Sequence, residues 1–113
     1  MENRRPEILP GTLYMLILKT LARLGSMHGY GIAQHIQQIS EDVLQVEEGS
    51  LYPALQRMLK EGWVKARWSV SSSGRRVRIY DLTTAGARHL HQEVSSFDRM
   101  LKGIKLVLST VES

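Results

Sequence analysis

Apolar residues along this chain change their period twice, and the changes divide it into elements. From Gly11 to Leu24, Leu13, Tyr14, Met15, Leu16, Ile17, Leu18, Leu21 and Leu24 are apolar around most of a helical circumference, with Thr12 as the expected cap. A helix apolar nearly all round needs cover on several sides, and a second subunit is expected to supply part of it. Gly25 to Gly29 reads as a turn. A second helix, about Gly29 to Ile39, sets Ile32, Ala33, Ile36 and Ile39 at helical spacing. Ser40-Glu41-Asp42 breaks that pattern, and Val43 to Val46 reads as a short extended segment.

A third helix follows at about 48–61. Ser50 is its expected N-cap, Pro53 falls in the first turn where proline is tolerated, and Gly62 is a stop in the left-handed conformation. Leu51, Leu55, Met58 and Leu59 share one side. Ser50, Pro53, Gln56, Arg57 and Lys60 share the other, with Tyr52 on the flank. At Trp63 the period drops to two. Val64, Ala66, Trp68 and Val70 alternate with Lys65, Arg67, Ser69 and Ser71, as in a half-buried strand. Ser71 to Arg75 is a flexible turn, and Val77, Ile79 and Tyr80 lie in a returning strand that ends near Leu82.

Thr83 or Thr84 can cap the last helix, which runs to about Thr110. Its apolar positions Ala87, Leu90, Val94, Phe97, Leu101, Ile104, Leu108 and Val111 step alternately by three and four, an a/d heptad pattern. Such a helix is roughly 40 Å long, more than a small domain can cover. Leu90, Val94, Phe97, Leu101, Ile104 and Leu108 are therefore expected to pair with a second copy in a two-fold dimer. Met100, Leu106 and Val107 widen the stripe and are expected to meet the first helix. The fold class predicted is mainly α with a small β-hairpin (α+β). It is a winged helix-turn-helix over 1–83, closed by a long C-terminal dimerisation helix over 84–113.

Composition changes the picture at one place. The chain of 113 residues carries a net charge of +4 with a pI near 9.7. Between Arg57 and Arg78 stand seven basic residues and one acid, Glu61, a local balance of +6 that leaves −2 for the rest. The positive charge is a patch, of the kind that meets nucleic acid. With no cysteine, disulfide and thiolate metal chemistry are excluded. The most apolar run, Leu13 to Leu24, is interrupted by Lys19, Thr20 and Arg23 and is too short to span a bilayer. A soluble, cytoplasmic protein with no membrane partner is expected. The histidines show no metal spacing: His89 and His91 point to different helix faces. No paired carboxylates, nucleophile with its base, or phosphate-cradling glycine loop is present, so neither an enzyme nor a cofactor is expected.

Several strings then resemble one family. Leu9-Pro10-Gly11-Thr12-Leu13-Tyr14-Met15-Leu16-Ile17-Leu18, His28-Gly29-Tyr30-Gly31-Ile32, Glu48-Gly49-Ser50-Leu51-Tyr52-Pro53-Ala54-Leu55, Gly62-Trp63 and Tyr80-Asp81-Leu82-Thr83-Thr84-Ala85-Gly86 stand in the order of the PadR family of bacterial transcriptional regulators. The resemblance covers about Ile8 to Gly86 and implies a homodimeric winged-helix repressor. It also implies a response to small aromatic or hydrophobic molecules as effectors. Two departures bear on the effector: Ile79-Tyr80-Asp81 replaces the family's usual tyrosine pair, and a single closing helix stands in place of a larger effector domain.

In a winged helix the third helix enters the major groove and the wing, here 69–78, follows the backbone of double-stranded DNA. Gln56 and Arg57 have the geometry for base edges. Ser50 and Tyr52 can donate to phosphates near the helix start. Tyr52 also matches the tyrosine of the family's recognition helix, and its alternative role is to pack under the wing. Arg75, Arg76 and Arg78 are expected on the DNA backbone, and Lys60, Lys65 and Arg67 either there or in solvent. His28 and Tyr30 open the second helix as backbone contacts or as buried turn residues. Trp63 and Trp68 are expected in the core of the wing. The competing function is a winged-helix protein-interaction module that binds no DNA.

Overall fold

The computed structural model describes residues 6–109, so Thr110 and Val111 of the last heptad and the first five residues of the N-terminal arm lie outside it. In chain order come α1 (Pro10–Leu24), β1 (Met27–His28), α2 (Gly29–Ile39), α3 (Glu48–Lys60), β2 (Val64–Val70), β3 (Arg76–Leu82) and α4 (Thr84–Leu108). The strands form one antiparallel sheet in the order β1-β3-β2. This is the expected winged helix-turn-helix with a long closing helix.

The centre is α1, which packs against α2, α3, α4 and β3. Leu13, Ile17, Leu18 and Leu21 are buried there with Ile32 and Ile36 of α2 and Leu51, Ala54, Leu55 and Met58 of α3. Its own chain thus covers one side of this broad apolar surface, while Tyr14, Met15 and Leu16 are only half-buried and Leu24 is exposed. Thr20 is buried with the core residues because its hydroxyl donates to the Leu16 carbonyl at 2.8 Å, which satisfies it inside the helix. The helix starts earlier than expected. Pro10 occupies its first turn and Leu9, rather than Thr12, is the cap residue, since proline's fixed φ suits a position that needs no N–H.

The third helix keeps its expected bounds but not its expected cap, and the segment before it differs in form. The third helix is capped by Glu47, so Ser50 is its third residue and Pro53 lies in the second turn. Pro53 is exposed, and the bond its missing N–H forgoes is the one to the carbonyl of Gly49, also exposed. Val43 to Val46 forms no strand. Leu44 and Val46 instead pack against the core from an irregular segment, after Glu41 and Asp42 turn the chain at φ 53° and 66°. Besides the hairpin, β1 forms at Met27–His28, where a plain turn was expected, paired with Ile79 and Tyr80.

The helix end at Gly62 follows the sequence. Gly62 has φ 78°, its N–H donates to Leu59 O at 3.1 Å, and the Trp63 N–H donates to Met58 O at 3.0 Å, which is a Schellman closure. From there Thr83 ties the hairpin to α4. Its hydroxyl oxygen accepts from the Gly86 N–H at 2.9 Å and donates to the Gly62 carbonyl at 2.6 Å.

Only Gly86 and Leu90 of α4 are buried. Beyond them the helix leaves the body, which gives the chain a longest extent of 64 Å against 36 and 21 Å. Phe97 is 41% exposed, Ile104 47% and Leu108 77%. Met100, Leu106 and Val107, expected to meet α1, are more than half exposed and lie outside the core cluster to which α1 belongs.

Candidate nucleic-acid interface

The third helix presents its polar strip to solvent. Leu51, Ala54, Leu55 and Met58 anchor it, which leaves Gly49, Ser50, Pro53, Gln56, Arg57 and Lys60 exposed. Gly49 and Pro53 leave little side chain on the N-terminal half of that strip, so another surface can approach its backbone closely. Arg57 is already engaged, its Nε donating to Glu61 Oε2 at 2.9 Å one turn on. Spacing of four residues is a signal for such a pair, and it leaves the terminal guanidinium nitrogens for another acceptor.

Tyr52 packs on α2, whereas its alternative role was expected under the wing, and it stays partly open to solvent. It is 44% exposed, yet its ring lies against α2 so closely that a methyl group at Gly29 would come within 3.2 Å of it. Tyr30 and Tyr52 line one cleft of about 180 Å³ between α2 and α3, with Gln34, Gln37 and Gln45 around them. His28 and Tyr30 are exposed, not buried turn residues. Their rings stack at 6.4 Å, and His28 Nδ1 accepts from the Gly31 N–H at 3.1 Å, capping α2.

On the hairpin, the covered face runs out before the tip. Val64 and Tyr80 are buried, but Trp68 and Val70 on the same face are 57% and 67% exposed, so Trp68 is not a core residue of the wing. The Arg76 guanidinium lies 4.4 Å from the Trp68 ring centroid and that of Arg78 5.8 Å. Trp63, by contrast, is half-buried against the core: it stacks on His89 at 3.7 Å and meets the edge of Tyr14 at 5.8 Å. The turn itself is closed by hydrogen bonds, Ser71 N–H to Arg75 O at 2.8 Å and Gly74 N–H to Ser71 O at 2.9 Å, with Gly74 at φ 85°.

Electrostatics separates the basic residues. Asp81 Oδ2 accepts from Arg67 Nε at 3.2 Å, and Oδ1 accepts from the Ser26 hydroxyl. Ser26 first, then Arg67, hold the Asp81 carboxyl below its ordinary value. Arg67 is therefore committed to the fold, joining β2 to β3 while Ser26 brings in the segment before β1. Burial pushes the Tyr80 phenol above its ordinary value. Arg75, Arg76 and Arg78 have no carboxylate partner among the described residues. Thus the structure gathers His28 with Tyr30, Tyr30 with Tyr52, and Arg76 with Arg78. Sequence reasoning passed over Glu61 as the partner of Arg57 and Trp68 as the partner of Arg76 and Arg78.

No group of histidine, aspartate or glutamate among the described residues could hold a metal ion. Nor, among them, is any helix long and apolar enough to cross a membrane.

Comparison with known proteins agrees with the fold. Residues 17–92 match the transcriptional regulator PadR-like family. The negative transcriptional regulator PadR of Bacillus subtilis (strain 168) is 25% identical over 71 residues, covering 63% of this chain but 39% of that protein. A PadR-like transcriptional regulator of Bacillus cereus strain ATCC 14579 superposes with a TM-score of 0.76 at 25% identity, over 94% of this chain and 100% of that one. A PadR family transcription regulator from hypervirulent Clostridium difficile R20291 gives 0.72 at 29% identity, over 86% and 98%.

Proposed function

Because this chain belongs to the PadR-like family of transcriptional regulators, we propose that it is a homodimeric repressor that occupies a pseudo-palindromic DNA operator. In this reading α3 enters the major groove, where Gln56 and Arg57 meet base edges while Ser50, Tyr52 and Lys60 hold neighbouring phosphates. The wing arginines and the His28–Tyr30 pair bind the backbone on either side. Two copies joined along α4 set the two recognition helices about one helical turn of DNA apart.

The observation that carries the reading is the wing: three exposed arginines without a carboxylate partner among the described residues, on the hairpin that follows a helix whose polar strip faces solvent. A cluster of unpaired guanidinium groups repels itself and gains most from a polyanion. The dimer is supported by the uncovered a/d stripe, since a helix with Phe97, Leu101, Ile104 and Leu108 open to water is stabilised by a matching helix.

Gel-shift titrations of the wild type and of an Arg75→Ala/Arg76→Ala/Arg78→Ala variant, on duplex selected from a random pool, test the DNA reading. Every phosphate that the variant no longer neutralises flattens the salt dependence of affinity by about 0.9 unit. Unchanged affinity and slope in the variant would remove the wing from the interface. Selected sequences without two-fold symmetry would count against paired half-sites. Derepression of a reporter behind the selected site, on deletion of the gene, tests the sign of regulation.

A further inference from the structure

Trp68 is a costly side chain to leave on a surface, and neither the core nor the turn uses it. The cross-strand register explains its company. Trp68 faces Arg78 directly on the neighbouring strand, and Arg76, opposite Val70, is its diagonal neighbour on the same face. Both guanidinium groups reach the one indole, at 4.4 and 5.8 Å from its centroid. The basic residues paired with acids behave differently: Arg57 is tied to Glu61 at 2.9 Å and Arg67 to Asp81 at 3.2 Å.

The two kinds of partner have different consequences for a polyanion. A carboxylate orders an arginine but cancels its charge. An aromatic face orders the flat guanidinium through its quadrupole and leaves the charge whole. It also covers only the face of the group, so the N–H edges stay available for two parallel bonds to a phosphate. An arginine already resting on a ring loses less rotamer freedom when it binds.

We propose that Trp68 is the positioning residue of the wing: its indole holds Arg76 and Arg78 with charge intact and edges free to grip the phosphate backbone. The proposal rests on the DNA-binding reading above. Trp68 acts through the two arginines and makes no essential contact with DNA itself.

The test uses the full-length protein and a duplex that the wild type selects from a random pool, with affinity measured by fluorescence anisotropy at several salt concentrations. Trp68→Ala is expected to weaken binding roughly fivefold or more, as both arginines come off the exposed indole face. The salt slope should become shallower by up to about 0.9 unit for each arginine released from its phosphate. Trp68→Phe keeps an aromatic face and should bind within about twofold of wild type, whereas Trp68→Leu, apolar but without a quadrupole, should behave like Trp68→Ala. Thermal unfolding should hardly change in any of the three, since the side chain lies outside the core.

Adding Trp68→Ala to an Arg76→Ala/Arg78→Ala protein should cost nothing further. A further drop in affinity in that arginine-free background overturns the proposal, because the indole would then be touching DNA in its own right. Trp68→Ala with wild-type affinity and slope overturns it as well, and so does Trp68→Leu with the affinity of Trp68→Phe. A wild type that selects no duplex overturns the DNA reading itself, which separates that failure from a failure of Trp68 alone.

Discussion

Gly86 is the residue at which a single methyl group should do most damage to the arrangement. It is the third residue of α4, and a Cβ built there would sit 2.0 Å from the Trp63 carbonyl oxygen and 2.9 Å from both the Trp63 carbonyl carbon and Leu82 Cδ1. Real Cβ atoms essentially never approach within 3.0 Å, so Gly86→Ala must force helix and strand apart by about 1 Å. That separation pulls on the Thr83 N–H bond to Trp63 O at 3.2 Å and on the Thr83 hydroxyl bond to Gly62 O at 2.6 Å. Overpacking of this kind costs about 1–3 kcal/mol, with more where backbone is the obstacle. Each weakened hydrogen bond adds up to about 1 kcal/mol, and the better helix propensity of alanine returns about 1 kcal/mol. The net expectation is a loss of about 2–3 kcal/mol, a fall in Tm of order 10 °C. Urea and thermal unfolding followed by circular dichroism, at fixed protomer concentration, measure it. Gly103, in the same helix with nothing within 4 Å, provides the contrast: Gly103→Ala should raise stability by about 0.5–1 kcal/mol. An unfolding midpoint for Gly86→Ala at or above wild type would refute the close-approach argument.

Three more outcomes follow from the same structure. Leu101→Glu sets a carboxylate in the middle of the heptad stripe and should weaken the proposed dimer at least about tenfold; sedimentation velocity at micromolar protein would show monomer, and an unaltered dimer would place the interface elsewhere. Arg57→Ala should cost about 1–3 kcal/mol on the selected duplex and relax preference at one base position, read by repeating the selection; a uniform loss across sequences would make Arg57 a phosphate contact. Asp81 is held below its ordinary value by Ser26 and Arg67, so its contribution is present at neutral pH and fades as pH falls from about 4 through the lowered value. Asp81→Asn should therefore show a smaller drop in urea midpoint between neutral and acidic pH than wild type, and equal drops would assign the acid limb to other groups.

What the chain settles by itself is whatever depends on neighbours a few residues away. The 3.6-residue period places α2 at Gly29–Ile39, the bounds read from the sequence, and the switch to a period of two at Trp63 announces the hairpin. Gly62 ends α3 because only a local left-handed turn is needed there. The uncovered stripe of α4 is equally local, being a matter of threes and fours. The basic segment is visible too, but not its division of labour. Register across β2 and β3 decides that Arg67 meets Asp81 while Arg76 and Arg78 meet Trp68. Alternation alone puts Trp68 inside, since it is in phase with Val64; the core simply ends before reaching it. The two-residue strand β1 exists only because β3 offers it an edge, and no period can be read from two residues. Ser50 looks like a cap because capping is judged from residue type, whereas the helix, at the bounds read from the sequence, already includes Ser50 as its third residue and Glu47 stands at the cap position. Local pattern thus determined the elements and the stripe that seeks a partner. Only the fold decided which charges are spent on holding it together and which are left to meet an anion, because pairing depends on distances that a sequence does not contain.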